Sequence, residues 1–334
     1  MARTQRAPHP ALPRRHLLAL LAMVAGFGRA ASAQEPYPTR AVRIIVPFPP
    51  GGPTDVIARI LAEMLSSTWK QPVVVENRGG GGTIVGTVAV AQAAPDGYTF
   101  GIATNPFVFN PALRHNLPYD TLRDFTAVGM LMTTPIVLVA PVSFPPSNLA
   151  ELLDYAKRSP APLAYASPGP GGIGHMAGEL LQREAQLTLE HIPYSGSAPA
   201  LTDVIAGRVP LMFDLWNSVR PHVESGRLKV LGVAGSSRIE EAPQYATIAE
   251  TFPAFASTAF PFNAVIMPAG VPKPLLDKIS ADVRAIVVSP QYADRLKPLG
   301  AVPAASTAAE LEAFFRREIP RWQAFAREAN ITLD

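Results

Sequence analysis

The sequence predicts an α/β protein with two lobes and mainly parallel strands. Short runs rich in β-branched residues alternate with segments whose apolar residues recur at helical spacing. A loop rich in glycine or small polar residues follows four of these runs. Two apolar segments bounded by proline interrupt the alternation. Alternation predicts strand–helix units, and the interruptions predict that one lobe is inserted into the other.

The first strand–helix unit follows residue 40. Residues 43–48 are mostly β-branched or apolar, a loop rich in Pro and Gly follows, and apolar residues between Val56 and Leu65 mark the buried face of a helix. The same order recurs at three further places: 73–76 into 79–82, 163–166 into 169–174, and 189–192 into 195–197.

The two interrupting segments, 136–141 and 263–268, are predicted to carry the chain between the lobes. Lobe 1 would comprise 34–133 plus 257–334, and lobe 2 would comprise 134–256. Further elements follow from the same patterns, with strands at 99–103, 211–214 and 229–234 and helices at 275–288 and 311–327.

Residues 1–33 have the order of a secretory signal peptide. Four arginines precede an almost entirely apolar stretch at 17–27, and Ala31-Ser32-Ala33 offers a cleavage site before Gln34. The apolar stretch is well short of the ~20 residues that span a bilayer. We therefore expect export to the periplasm, by either the Sec or the twin-arginine route.

Removing this leader changes the charge of the chain. The leader holds five of the 29 basic residues and none of the 26 acidic ones, so the mature chain has 24 basic against 26 acidic side chains. The basic pI of the full sequence therefore gives no reason to expect a nucleic-acid partner. The chain has no cysteine, which excludes disulfides and thiol catalysis.

The glycine-bearing loops are the places where a ligand is expected. They follow predicted strands and lead into predicted helices, and α/β proteins bind small molecules at that edge of a sheet. Unpaired N–H groups at a helix N-terminus can hold an anion without a basic side chain. Thr54 or Asp55 is expected to cap the first helix, and Ser197 with Pro199 suits the start of another.

A dinucleotide site is the strongest competing interpretation. Residues 169–174 read GPGGIG, with a strand before, a helix after, and Glu190 sixteen positions beyond Gly174. This fingerprint lies far from the first strand, however, and Glu190 falls inside a predicted strand and not at its end, so nicotinamide binding is not favoured.

Catalysis and metal binding receive less support. No G-x-S-x-G elbow surrounds the serines of a possible hydrolase triad drawn from Ser167, His175, Ser195 and Asp214. The four histidines outside the leader show no paired spacing typical of metal ligands.

At 45–55 the segment IVPFPPGGPTD resembles the Bug family of extracytoplasmic solute receptors, the binding proteins of tripartite tricarboxylate transporters. Supporting motifs extend the resemblance over essentially the whole mature chain: VENRG at 75–79, APDGY at 94–98, NPAL at 110–113, LPYD at 117–120, YAS at 165–167, HIPY at 191–194 and MFD at 212–214.

The resemblance implies a type II periplasmic-binding-protein fold, in which two lobes close over a small organic acid without a cofactor. Two positions depart from the family pattern: Pro53 stands where a third glycine is common, and Thr83 where Asn is common. The family's ligand loops correspond here to Phe48, Gly51, Gly52, Thr54, Asp55, Thr83, Thr104, Asn105, Ser167, Gly171, Gly172, His175, Tyr194, Ser195 and Asp214.

We therefore expect a monomeric receptor that captures a small carboxylated solute, which could be a mono-, di- or tricarboxylate, an amino acid or an aromatic acid. Backbone N–H groups and neutral side chains are expected to hold the carboxylate, since Arg78 is the only basic side chain of these loops. Asp214 would accept a hydrogen bond from a ligand hydroxyl or ammonium. A sensor subunit for a membrane kinase and an enzyme acting on an organic acid are the alternatives.

Overall fold

The computed structural model describes residues 37–257, 261–329 and 331–332. The predicted signal peptide at 1–33 lies outside these ranges. The described residues from 40 onwards form one compact unit built on two β-sheets. This agrees with the predicted α/β class.

Sheet 1 has six strands in the order β11-β4-β10-β3-β1-β2. Its first part alternates strands with helices, and its last part follows the excursion into the other sheet. The elements are β1 Val42–Val46, α1 Pro53–Trp69, β2 Val73–Asn77, α2 Ile84–Ala91, β3 Thr99–Ala103, α3 Asn105–Leu113, β4 Phe125–Thr133, β10 Phe262–Pro268, α8 Lys273–Val287, α9 Pro290–Leu296, β11 Val302–Pro303 and α10 Ala308–Glu328.

Sheet 2 has five strands in the order β7-β6-β8-β5-β9. All of its strands lie between the two parts of the chain that form sheet 1. The elements are β5 Ile136–Pro141, α4 Leu149–Arg158, β6 Leu163–Ser167, α5 Ile173–Ala185, β7 Leu189–Pro193, α6 Ser197–Ile205, β8 Leu211–Leu215, α7 Trp216–Glu224 and β9 Leu228–Ala234.

The strands run mainly in one direction, as expected: four of six in sheet 1 and four of five in sheet 2. β10, β11 and β5 run the other way, so both sheets are mixed. β1 pairs in parallel with β2 and β3, and β6 pairs in parallel with β7 and β8. The strands that carry the chain between the sheets, β4 with β10 and β5 with its two neighbours, are antiparallel. Local alternation predicts direction only within a strand–helix–strand unit, whereas these strands pair across large sequence separations.

The two passages between the sheets lie side by side. β4 leads directly into β5, and the N–H of Thr134 in that link donates to the carbonyl of Pro261, just before β10 (2.9 Å). Trp216, the first residue of α7, donates its N–H to Pro135 O (2.8 Å). The first bond joins the two passages, and the second joins the β4–β5 link to α7.

The largest hydrophobic cluster contains buried residues of both sheets and of α10. Trp322 of α10 packs edge-on against Phe109 of α3, with ring centroids 5.0 Å apart. A second cluster lies on sheet 2 beneath α6 and α7, around Val139, Met212 and Val219. None of the helices in the described part of the chain is long and apolar enough to cross a membrane.

Candidate ligand-binding site

A cavity of about 630 Å³ opens where the loops of the two sheets meet. Its volume is in the range typical of small-molecule sites. One wall comes from the loops after β1 and β3 and from β10, and the facing wall comes from the β6–α5 loop and the start of α7. Both sheets therefore contribute to the same cavity.

Helix α1 points its N-terminus at this cavity. Gly52 is the N-cap residue in an extended conformation, no side chain caps the helix, and Pro53 occupies the first helical position. Gly52, Pro53 and Thr54 all line the cavity. Since the first-turn N–H groups of a helix have no partner within it, the amides of this turn are available to an anion.

Helix α5 presents a matching N-terminus from sheet 2. Its N-cap is Gly172, again extended and again without a side-chain cap, and Gly171, Gly172 and Ile173 line the cavity. Gly171 has a φ of 69°, which favours glycine and brings the loop backbone close to the cavity. The cavity thus lies between two uncapped helix N-termini, one from each sheet.

The prediction that Thr54 or Asp55 caps α1 is wrong, because the helix begins at Pro53. Asp55 is the third helical residue, is 2 % exposed, and accepts hydrogen bonds from the Gly51 N–H (2.9 Å), from Arg59 and from Asn77. Burial favours the neutral acid, but these hydrogen bonds outweigh it and hold the pKa of Asp55 below its ordinary value. The Asp55 carboxylate is therefore already paired with Arg59, and its hydrogen bond from Gly51 holds the loop between β1 and α1 in place.

Three polar atoms at the cavity wall are buried without a hydrogen-bond partner. They are Oγ1 of Thr104, Oδ1 of Asn217 and Nδ2 of Asn263, and all three residues line the cavity. Asn217 Nδ2 donates a hydrogen bond to the carbonyl of Leu299 (2.7 Å), whereas Oδ1 of the same side chain has no donor. A buried polar group without a partner costs free energy, so each of these three groups would gain from a hydrogen bond to a ligand or a water molecule in the cavity.

None of the described residues lining the cavity has an ionisable side chain. Arg78, the basic residue of the predicted loops, is not among them, and its Nε donates to Glu76 Oε1 (2.6 Å) at the surface. Polarity in the cavity comes from Thr, Asn and backbone groups. Any anion held here would rely on hydrogen bonds and helix termini.

Seven of the predicted ligand residues line this cavity and eight do not. Those that line it are Phe48, Gly52, Thr54, Thr104, Asn105, Gly171 and Gly172. Those outside the lining are Gly51, Asp55, Thr83, Ser167, His175, Tyr194, Ser195 and Asp214.

Two of the outlying residues shape neighbouring loops. Thr83 is buried and adopts a φ of 78°, an unusual conformation for a β-branched residue, just before α2. Tyr194 donates its hydroxyl to Asp203 (2.8 Å) beyond β7. Neither side chain faces the cavity in this arrangement.

The buried Asp214 forms a separate pair with the partly buried Ser197. Ser197 donates its hydroxyl to Asp214 Oδ1 (3.0 Å), and the Leu215 N–H donates to the same oxygen (2.8 Å). Burial raises the pKa of Asp214 to about 6, although these two hydrogen bonds oppose the rise. Its Oδ2 has no partner, but Asp214 does not line the cavity, which begins at the next residue, Leu215.

A stack of three rings, one buried and two partly buried, supports the β6–α5 loop from beneath. His175 accepts a hydrogen bond at Nδ1 from the Gly171 N–H (3.0 Å), and its ring lies on that of His191 with centroids 4.0 Å apart. His191 contacts Ser167 Oγ through Nε2 (2.7 Å) and stacks on Tyr165. Ser167 is fully buried, so its hydroxyl holds the loop and is not presented to the cavity.

This stack predicts a loss of stability in mild acid. Burial lowers the pKa of both histidines, and burial together with the neighbouring His175 lowers that of His191 to about 4, against the opposing effect of Glu179. Both rings bind protons less readily in the folded state than in the unfolded chain, whose histidines are protonated below pH ~6.5. Their contribution to the free energy of unfolding therefore falls as the pH drops from ~6.5 towards 4.

His191→Gln, which keeps a polar group near Ser167, tests this dependence. Urea unfolding at pH 7.5 and at pH 4.5 should show that the wild-type chain loses on the order of 1 kcal/mol more than the variant between the two conditions. Protonation of Asp214 in the same pH interval stabilises the fold, because its folded-state pKa is raised. This contribution is the same in the wild-type chain and in the variant, so it cancels when their losses are compared. Equal losses in the two chains would show that His191 does not titrate as inferred.

A second, larger depression of about 1090 Å³ is a poorer candidate for a ligand site. It lies near β9 and β11, and four of the five charged side chains that line it are paired: Arg220 with Glu241 (3.0 Å), Arg238 with Glu250 (2.8 Å) and Lys297 with Asp294 (2.8 Å). None of the described residues lining it has a buried polar atom without a partner. The cavity between the helix N-termini is therefore the candidate site.

Sequence reasoning missed Asn217 and Asn263. Asn263 had a visible signal, because it is a polar residue in the otherwise apolar strand β10, every residue of which is buried. No sequence signal indicated Asn217, since its position at the cavity depends on contacts with Leu299 and Gly300, more than eighty residues later. The apolar wall residues Phe109, Met132 and Phe262 likewise read as ordinary core positions.

Comparison with known proteins identifies the family. Residues 57–331 match the family model described as tripartite tricarboxylate transporter family receptor. Protein BugT of Bordetella pertussis is 33 % identical over 320 residues, which cover 95 % of this chain and 97 % of BugT.

Two solved structures from Rhodopseudomonas palustris have the same architecture. One, determined with adipate, has a TM-score of 0.71 and 32 % identity and covers 89 % of this chain and 99 % of its own. MatC, determined with bound malate, has a TM-score of 0.69 and 31 % identity and covers 86 % and 99 %. Together with the two-sheet fold and the cavity between the sheets, these matches show that the chain belongs to the tripartite tricarboxylate transporter family of solute-binding receptors.

Proposed function

We propose that this chain captures a small carboxylated solute in the cavity between α1 and α5 and delivers it, unaltered, to the membrane components of a tripartite transporter. The observation that carries the proposal is the pair of uncapped helix N-termini, at Gly52 and Gly172, that face one cavity without any ionisable side chain among its described lining residues. The adipate and malate in the two related structures support a carboxylate ligand.

The lobe boundaries are part of this proposal. Lobe 1 would comprise 34–133 plus 257–334 and lobe 2 would comprise 134–256, with closure about the link at Thr134 and Pro261. The membership of the sheets supports this division, since the strands of sheet 1 lie at 42–133 and 262–303 and those of sheet 2 at 136–234. We further propose that residues 1–33 direct export to the periplasm and are then removed, as their basic, apolar and Ala-x-Ala order indicates.

A thermal-shift screen of the mature chain tests the proposal. The panel contains aliphatic and aromatic mono-, di- and tricarboxylates and amino acids, each compared with the neutral amide of the same skeleton. An acid present at a hundredfold excess over its Kd should stabilise the fold by ~2.7 kcal/mol and raise the melting temperature by several degrees.

The neutral amide of that acid should produce little shift, because it lacks the charge that the helix N-termini attract. A panel in which no acid raises the melting temperature, or in which the neutral amides raise it equally, would contradict carboxylate capture.

A further inference from the structure

We propose that His175 is a positioning residue for ligand binding, which fixes the start of α5 only while its imidazole is neutral, so that protonation of this ring weakens carboxylate binding. The inference rests on the proposed function and adds a pH dependence to the same site. It follows from a comparison of the two glycine-rich loops that lead into α1 and α5.

Helices α1 and α5 begin in nearly the same way, each after a Pro-Gly-Gly segment. The first glycine of each pair has a positive φ, 86° at Gly51 and 69° at Gly171. The second glycine, Gly52 or Gly172, is an extended N-cap with a ψ of 166° or 169°, and both N-caps line the cavity. The same local conformation therefore brings an uncapped helix N-terminus to the cavity from each sheet.

The third residue of each helix accepts a hydrogen bond from the first glycine of its loop. In α1, Asp55 Oδ2 accepts from the Gly51 N–H (2.9 Å). In α5, His175 Nδ1 accepts from the Gly171 N–H (3.0 Å). Each bond joins the residue before the N-cap to the first turn, so it fixes the direction in which the chain enters the helix. His175 is thus the counterpart in α5 of Asp55 in α1.

The two acceptors respond differently to pH. Although burial opposes its ionisation, hydrogen bonding holds the pKa of Asp55 below its ordinary value, so this acceptor persists in mild acid. His175 accepts at Nδ1 only as the neutral ring with its proton on Nε2, because both nitrogens of an imidazolium are donors. Protonation would set two N–H donors against each other and break the bond to Gly171. The start of α5 therefore depends on pH, whereas that of α1 does not.

Titratable side chains of three elements face the His175 ring. His191 of β7 stacks on it, Glu179 Oε1 lies 3.6 Å from its Nε2, and Tyr165 of β6 donates its hydroxyl to the same Glu179 oxygen (2.7 Å). Burial lowers the pKa of His175, so the ring is protonated only below pH ~6.5. Glu179 would offset the charge of the imidazolium, so a bound anion would gain little from that charge while it lost the fixed start of α5.

Two substitutions separate this role from a general role in folding. His175→Asn keeps a side-chain acceptor near the position of Nδ1 but cannot titrate, whereas His175→Leu removes the acceptor. At pH 7.5, the Kd of His175→Asn should stay within about threefold of the wild-type value, and that of His175→Leu should rise by about tenfold. Circular dichroism checks that each chain is folded. Wild-type affinity in His175→Leu would overturn the positioning role.

The pH dependence is measured by titration calorimetry at pH 7.5 and pH 5.0. Adipate and malate, the acids in the two related structures, are the first probes, and the panel acid with the largest thermal shift replaces them if neither binds. Between the two conditions the wild-type chain should lose at least about threefold more affinity than His175→Asn. Protonation of the acid and of Asp214 is common to both chains and cancels from this ratio. Equal losses would overturn the inference and leave the receptor function standing.

His191 requires its own control, because its ring stacks on that of His175. His191→Gln should retain the pH dependence of the wild-type affinity, since the bond between His175 and Gly171 is intact in this variant. Loss of the dependence in His191→Gln, with retention in His175→Asn, would assign it to His191 and overturn the inference.

Imidazole ¹⁵N spectra of the ligand-free chain test the geometry without a probe. The signals of His175, identified by their absence from His175→Asn, should show an unprotonated Nδ1 and a protonated Nε2 at pH 7.5. A protonated Nδ1 at that pH would overturn the inference even if no acid binds. Failure of the wild-type chain to bind any acid of the panel at pH 7.5 would instead refute carboxylate capture, and the inference with it.

Discussion

Replacing Gly52 by valine is expected to weaken carboxylate binding at least a hundredfold while leaving the chain folded. Gly52 is the N-cap of α1 and lines the cavity, so a branched side chain there would cover the first-turn N–H groups that we propose hold the anion. A hundredfold loss corresponds to ~2.7 kcal/mol of binding free energy. Titration calorimetry with the tightest acid from the thermal-shift panel measures it directly.

The backbone at Gly52 tolerates this substitution. Its φ of −77° and ψ of 166° are extended values that valine adopts readily, and the nearest atom to an added Cβ is Pro49 O at 3.9 Å. The expected cost to folding is about 1 kcal/mol, because valine is a poor N-cap residue. Circular dichroism and the melting temperature of the ligand-free variant check that the fold persists.

Arg78→Ala is the matched control. Arg78 belongs to the neighbouring loop but pairs with Glu76 outside the cavity, so its removal should change the affinity by less than about threefold. Normal binding by Gly52→Val would show that the N-terminus of α1 does not hold the anion. A hundredfold loss in Arg78→Ala would show that the basic side chain holds it instead.

Gly178→Ala is expected to destabilise the fold by about 2 kcal/mol, although alanine is the better helix former. A Cβ on this buried residue of α5 would lie 2.1 Å from Cε2 and 2.3 Å from Cζ of Tyr165. Tyr165 is fully buried, its ring stacks on His191, and its hydroxyl donates to Glu179 (2.7 Å). Overpacking therefore outweighs the gain of ~1 kcal/mol in helix propensity. Urea unfolding at pH 7.5 provides the measurement.

A double-mutant cycle with Tyr165→Leu identifies the cause. Removing the ring makes room for the added methyl group, so Gly178→Ala should cost little or nothing in the Tyr165→Leu background. An equal cost in both backgrounds would place the strain elsewhere in α5. Gly172 is the N-cap of α5 and His175 lies in its first turn. The coupling free energy from the cycle therefore also measures how strongly contact with Tyr165 fixes this helix to sheet 2.

Local sequence patterns were sufficient for most elements of the fold. The predicted strand at 99–103 and the predicted extended segment at 136–141 coincide with β3 and β5, and the helix predicted at 275–288 is displaced by two residues or fewer at each end from α8. These elements have strong apolar periodicity and clear boundaries at Gly or Pro, so local propensity and tertiary burial agree. β4 was missed, although it is the longest strand of sheet 1.

The direction of the strands that oppose the others, such as β10, could not be obtained in the same way. β10 lies between β3 and β4 and runs antiparallel to both, at sequence separations of more than 120 residues. A strand–helix unit specifies only its own parallel pairing. Both sheets are mixed because β5 and β10, the first strands after the two passages between the sheets, each run against their neighbours.

The sequence by itself determined the strand–helix units, the glycine loops that begin α1 and α5, and the family resemblance carried by the segment at 45–55. These are properties of neighbouring residues, because turn conformation, helix initiation and apolar periodicity act over a few positions. Only the tertiary structure decided which loops share one cavity: it joined Gly52 and Thr104 to Gly171, and it placed Tyr194 and Asp214 outside. It also brought Asn217 and Asn263 to the same wall, since the packing of the two sheets sets distances between residues that no local pattern relates.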